Sequence, residues 1–198
     1  MYNKINAALV VAVVLGVSTP ALAEQALATG SMLANNCTGC HGIDGASHGP
    51  SIPSIGGLSK EYLVGIMKAY QEGKAYSTIM GRIAKGYTED EIKVMADYYA
   101  GKPFVSANQK FDAKLSKNGE SLHEKYCGKC HEEKGSSSDE AGILTGQWMP
   151  YLQWTIADFK GSKREAEKKM LTKLEQLLAD KGDAGLDALL NYYARQKK

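Results

Sequence analysis

Apolar residues along this chain recur at intervals of three and four, and no stretch alternates long enough to predict a strand. The spacing predicts helices over 25–36, 60–72, 118–126 and 149–160. Thr88 with Glu91 reads as a capping box opening a helix through Tyr99. Ser162 with Glu165 repeats that signature and predicts a helix toward Leu178, followed by a last helix over 183–196. The segments GIDGASHGPSIPSIGG and EEKGSSSDEAGILTG are rich in Gly and Ser and read as loops. The pattern is that of an all-α protein.

Residues 1–23 follow a different rule. A single Lys precedes an apolar run and then Ala21-Leu22-Ala23, the layout of an export signal with its cleavage site. The run is about a dozen residues, short of the roughly 20 that a spanning helix needs. The segment is expected to be removed, leaving a periplasmic chain that starts at Glu24.

The remaining landmarks occur twice, in the same order. Cys37, Cys40 and His41 match Cys127, Cys130 and His131 at an offset of 90. Tyr62-Leu63 matches Tyr151-Leu152 at 89, Met80 matches Met170 at 90, and Tyr98-Tyr99-Ala100 matches Tyr192-Tyr193-Ala194 at 94. Two tandem domains are expected, 24–101 and 119–198, joined by a linker over 102–118. Each is about 80 residues, marginal for a core built from apolar side chains alone. That is a reason to expect a large buried cofactor in each.

Composition adds mainly exclusions. With residues 1–23 removed, 23 basic side chains face 22 acidic ones, so nothing in the charge points to nucleic acid or an anionic membrane. The four Cys all belong to the two Cys-x-x-Cys-His stretches, CTGCH and CGKCH. Three chemistries use such spacing. A redox disulfide favours a strand–helix setting that is missing here and gives the His no role. A zinc site would have to join Cys pairs far apart in sequence and leave the repeated His to chance. Covalent haem attachment uses every residue: two thiols form thioethers and the next His ligates the iron.

An electron-transfer haem iron takes a second strong ligand, often Met. Of Met32, Met67, Met80, Met95, Met149 and Met170, only Met80 and Met170 are Met in both repeats, each 39 residues after its His. Met32, Met67 and Met95 fall opposite Leu122, Ile156 and Leu189 and read as packing, and Met149, opposite Lys60, reads as near the surface. His48 and His123 read as surface residues. Pro53 is a candidate to offer its carbonyl to the haem-ligating His, whereas Gly142 stands opposite it in the second repeat. Trp148 and Trp154 read as core or as packing on the second haem. Lys160, Lys163, Arg164, Lys168, Lys169 and Lys173 surround Met170 and read as a solvated face, with docking of an acidic partner as the alternative.

Each half resembles a class I cytochrome c domain, and the whole resembles the diheme cytochrome subunits of flavocytochrome c sulfide dehydrogenases. The stretches STIMGRIAKGYTEDE, KYCGKCHEEKG, LTGQWMPYLQ, EKKMLTKLEQLL and GDAGLDALLNYYA carry that resemblance. It implies two haem c groups, held through Cys37, Cys40, Cys127 and Cys130. It implies iron ligation by His41, Met80, His131 and Met170. It also implies a heterodimer with a flavoprotein that binds FAD and oxidises sulfide, and a soluble acceptor cytochrome. The chain would then be no enzyme on its own but the electron-transfer subunit of a sulfide:cytochrome c oxidoreductase. The alternatives are a free diheme shuttle to a terminal oxidase and a diheme enzyme with an open iron.

Overall fold

The structure, a computed structural model, describes residues 28–137 and 141–195. The expected export signal lies outside them. Among the described residues there are helices and one isolated β-bridge, Ala75 to Arg164. The all-α expectation holds.

The first half opens with α1 (Gly30–Asn35), capped by the Thr29 hydroxyl, and the short α2 (Thr38–His41). After a loop come α3 (Lys60–Glu72), one turn of α4 (Met80–Ile83) and α5 (Glu89–Ala100). The Thr88–Glu91 capping box is present in both directions. The second half follows the same plan with α6 (Ala113–Leu122), the short α7 (Glu132–Gly135), α8 (Met149–Lys160) and α9 (Lys168–Arg195). α9 breaks at Gly182, whose φ of 63° and ψ of −161° are not helical, so the helix expected from Asp183 is its second limb. The helix expected from Ser162 is not formed there. Ser162 takes a left-handed φ of 55° just after α8, and Glu165 N–H donates to the Lys74 carbonyl instead of capping.

In each half the first helix crosses the last through a glycine. A Cβ on Gly30 would lie 3.0 Å from Tyr98 Cβ and 3.2 Å from the Val94 carbonyl oxygen. A Cβ on Gly119 would lie 2.2 Å from the Ala188 carbonyl oxygen and 2.6 Å from Tyr192 Cβ. These are repeat-related positions, but Gly30 and Gly119 are 89 apart, one fewer than the Cys pairs. The missing residue is found in a π-helical turn over His123–Cys127, which absorbs one insertion between α6 and the motif.

That turn corrects two expectations. His123 is 3% exposed, not a surface residue, and its Nδ1 is 2.8 Å from the Tyr193 hydroxyl. Upstream of the turn the register is 89, so Met32 falls opposite Ser121 and not Leu122, and both are exposed, Met32 to 62%. Leu33 takes the place facing Leu122, and both are buried.

The segment read as a linker is an ordered strap. Phe104 is buried in the first core, and Ala107 N–H donates to the Gly146 carbonyl at 2.7 Å. Gln109 Nε2 donates to the Gln147 carbonyl at 2.7 Å, and the Met149 N–H donates back to Gln109 Oε1 at 2.8 Å. Asp112 then caps α6, which starts inside the stretch assigned to the linker.

Candidate functional site

The first Cys-x-x-Cys-His sits where α1 turns into α2. The Cys40 and His41 N–H groups both donate to the Cys37 carbonyl, at 3.1 and 2.8 Å, and this winds the motif into one tight turn. The next residues are Gly42, Asp44 and Gly45, at φ of 75°, 54° and 80°. Glycine is needed at Gly45: its Cβ would lie 2.4 Å from the Gly56 nitrogen. The Gly45 carbonyl accepts from the Ile55 N–H at 2.8 Å and from Gly56 N–H at 3.3 Å. That pairing returns the loop so that the Pro53 carbonyl accepts from His41 Nδ1 at 2.9 Å. The proline expectation is met, and the other ring nitrogen, Nε2, is left for a ligand. Burial lowers the His41 pKa, with the Pro53 carbonyl acting the other way.

Cys37, His41, Pro53 and Met80 line one cavity, with Leu63, Met67, Ile92 and Met95 among its apolar walls. Its hollow, open mouth included, is about 920 Å³. Tyr151, Gln147 and Ile143 of the second half also face it. Sequence reading missed this contribution, because nothing in a local motif shows which side chains another half will insert.

The second motif is wound in the same way: Cys130 and His131 N–H donate to the Cys127 carbonyl at 3.1 and 2.9 Å. Gly135 repeats the role of Gly45, its carbonyl accepting from Leu144 and Thr145 N–H at 2.9 and 3.0 Å. Cys127 packs against the second core beside Leu144, Leu152 and Ile156. Ile55, Leu63 and Met67, which line the first cavity, are their repeat counterparts. His131 and Met170 are both half-buried, Met170 in the first turn of α9. Among the described residues the buried His131 Nδ1 has no hydrogen-bond partner. Burial, with His123 nearby, pushes its pKa down to about 4.

The thiols carry information of their own. Burial raises Cys37 and Cys127, the opposite of the lowered pKa that marks a redox-active cysteine. No disulfide joins the four cysteines, and among the described residues no three His, Cys, Asp or Glu side chains converge on a metal-sized site. The repeated motifs therefore do not gather into a zinc centre among those residues.

Other expectations sort as follows. His48 is exposed. Met149 is half-buried and packs against the second core. Trp148 spans the halves, its Nε1 donating to the Ser47 carbonyl at 3.3 Å, and Trp154 is 53% exposed, so neither is a core residue. Arg164, read as part of a solvated basic face, is buried.

Residues 27–100 match the cytochrome c family. The cytochrome subunit of sulfide dehydrogenase from Chlorobaculum tepidum is 44% identical over 80 residues, which are 40% of this chain and 72% of that one. The chain belongs to the cytochrome c family. As a cytochrome c it carries covalently attached haem and serves electron transport. Cytochrome c4 of Stutzerimonas stutzeri is 27% identical over 176 residues, covering 79% of this cytochrome and 82% of that one. The crystal structure of reduced cytochrome c4 from Pseudomonas stutzeri superposes with a TM-score of 0.73 at 21% identity, over 85% of this cytochrome and 97% of that chain. The fold is thus that of paired class I cytochrome c domains.

The first cavity fits a haem. It is apolar, it has the Cys37 thiol, the His41 ring and the Met80 thioether in its walls, and the His ring is fixed from behind. No helix among the described residues is long and apolar enough to cross a membrane.

Proposed function

We propose that this cytochrome c is a periplasmic diheme electron carrier that serves a sulfide-oxidising flavoprotein. One haem is held by Cys37 and Cys40 with His41 and Met80 on its iron; the other is held by Cys127 and Cys130 with His131 and Met170. When bound, the haems supply one-electron chemistry. The chain's own part is to fix them, exclude water from them and present docking surfaces. The two domains follow the expected division, 24–101 and 119–198, with the second also taking in the start of α6 from Ala113.

The observation that carries the reading is the shared cavity of Cys37, His41 and Met80, in a chain whose relative at 44% identity is a cytochrome subunit of sulfide dehydrogenase. That relative supports a partner carrying FAD, in a heterodimer, with a soluble cytochrome as acceptor. With His and Met both committed to each iron there is no open position for substrate, so the chain acts as a subunit and not as an enzyme by itself. The free shuttle is the second reading, favoured by the likeness of 79% of the chain to cytochrome c4.

The deciding experiment is purification of the native protein with its flavin-to-haem ratio and complex mass. One flavin per two haems on a second polypeptide is expected. A flavin-free species of this chain alone would establish the shuttle instead. Replacing Met80 or Met170 with Ala is expected to remove about half of the methionine-to-iron charge-transfer absorption and to lower the potential of one haem, since Met ligation raises it.

A further inference from the structure

Arg164 is the most deeply buried charge in the molecule's junction, 9% exposed. It lies where 74–76 and 163–165 run antiparallel: Tyr76 N–H donates to the Lys163 carbonyl at 2.9 Å, and Glu165 N–H donates to the Lys74 carbonyl at 3.0 Å. Those segments are repeat counterparts at an offset of 89, so the halves meet here about a local two-fold axis. Ala75 and Arg164 pair across it. The axis therefore carries one guanidinium and no second.

The guanidinium is nested in two further repeat pairs. Its Nη2 donates to the Tyr62 hydroxyl at 3.4 Å, and the Tyr70 and Tyr151 hydroxyls lie close enough to act on its charge. The Phe159 ring centroid is 5.3 Å away. Tyr62, Tyr70 and Tyr151 are walls of the first cavity. Burial pushes the Tyr62 and Tyr70 hydroxyls up, Tyr70 to about 12, so they are neutral near pH 7. None of the ion pairs among the described residues involves Arg164. A buried cation among neutral groups is strongly unfavourable unless an anion joins it. A planar fork ringed by hydroxyls suits a carboxylate in particular.

We propose that Arg164 is a cofactor-binding residue supplied by the second half to the cavity of the first, where it pairs with a carboxylate of the haem. This rests on the diheme reading above. The site of the first haem is then incomplete without the second half. The same charge favours the reduced iron, which carries one positive charge fewer than the oxidised iron.

The test is a spectroelectrochemical titration of the full-length, haem-loaded protein with Arg164→Gln, Arg164→Met and Arg164→Lys. Haem staining of denatured protein first checks attachment; absence of covalent haem in the native chain would defeat the underlying reading, not this one. Arg164→Gln is expected to move at least one reduction wave to lower potential by about tenfold in the redox equilibrium, about 59 mV for one electron. Arg164→Lys, which keeps the charge, restores most of it. Arg164→Met, similar in volume and neutral, gives the same answer if the Gln variant does not fold. Asp139 and Glu140 lie outside the described residues, so the Gln change is repeated in an Asp139→Asn, Glu140→Gln background. An undiminished shift there supports the proposal. Unmoved potentials alongside a lowered unfolding midpoint, or a shift that vanishes in that background, would overturn it.

Discussion

The two Cys-x-x-Cys-His loops share a motif and differ in what stands behind it. After His41 the chain places Gly at two of its three left-handed positions, with Asp44 at the third. After His131 the left-handed positions are Glu133, Lys134 and Gly135, at φ of 47°, 63° and 85°. A left-handed conformation costs a non-glycine residue about 1–2 kcal/mol. The first loop returns a carbonyl to its His, whereas among the described residues none reaches His131 Nδ1. The second instead buries a second imidazole, His123, against Tyr193, where the first half bonds the Tyr99 hydroxyl to the Ala34 carbonyl. The residues proposed to touch the cofactor are repeated and their supports are not. The support is thus where the two sites acquire different properties.

The largest contrast lies in the helix crossings. Gly119→Ala drives a methyl into the Ala188 backbone and Tyr192 Cβ, at 2.2 and 2.6 Å, neither able to swing aside. Overpacking of that kind is expected to cost about 3 kcal/mol or more. Gly30→Ala meets its neighbours at 3.0–3.2 Å and gains helix propensity of about 0.5–1 kcal/mol, so the net change stays within about 1 kcal/mol. Denaturant unfolding of the haem-loaded variants measures both. Equal losses would mean that the two crossings are not differently packed.

The parts of this architecture that the sequence reveals are those with local causes. Lys60–Glu72 and Met149–Lys160 form as their periodicity predicts, and the Thr88 box forms because both partners lie within one turn. The Ser162 box fails although its letters match. The chain there is committed to the bridge between the halves, and a tertiary backbone pairing outweighs a cap. The burial of His123 depends on a single inserted residue, detectable only as a drift from 89 to 90 in the repeat. Arg164 lies in a run of surface-like charges, and it is buried where the two halves meet. The Cys, His and Met spacing is legible because one turn of chain must present those atoms together. The walls contributed by Gln147 and Tyr151 are not, because contacts that distant leave no periodic mark.

Gln147 sharpens the comparison from the interface side. Buried itself, it accepts from the Ser54 N–H and donates to the Ser54 carbonyl, both at 2.9 Å. Ser54 follows Pro53, whose carbonyl holds His41. The second half thus braces the ligand loop of the first, and among the described residues no reciprocal brace reaches His131. Gln147→Ala strips two buried backbone groups of their partners and is expected to cost about 2–3 kcal/mol in denaturant unfolding. It should also broaden the first haem's proximal histidine resonances in NMR and leave the second's unchanged. Equal broadening at both would show that the brace is general and not specific to one loop.

The smallest expected effect comes from placing a glycine at the left-handed position that Lys134 and its counterpart Asp44 share in the two loops. Lys134 stands at φ 63°, its carbonyl accepting from the Thr145 hydroxyl at 2.8 Å. The side chain reaches Glu120 only at 3.8 Å and is largely exposed, so removing it loses little. Lys134→Gly relieves about 1–2 kcal/mol of left-handed strain and gives back part of that as unfolded-chain entropy, about 0.5–1 kcal/mol. A net gain of about 0.5–1 kcal/mol is expected, read as a higher denaturation midpoint with an unchanged slope. Asp44→Gly in the first loop relieves the same strain but breaks the pair with Lys102 at 2.9 Å and the bond from the Tyr98 hydroxyl at 2.8 Å, so no gain is expected there. A gain at Asp44 matching that at Lys134 would mean that the two loops are strained alike, and that the difference between the haem sites must come from the histidine supports alone.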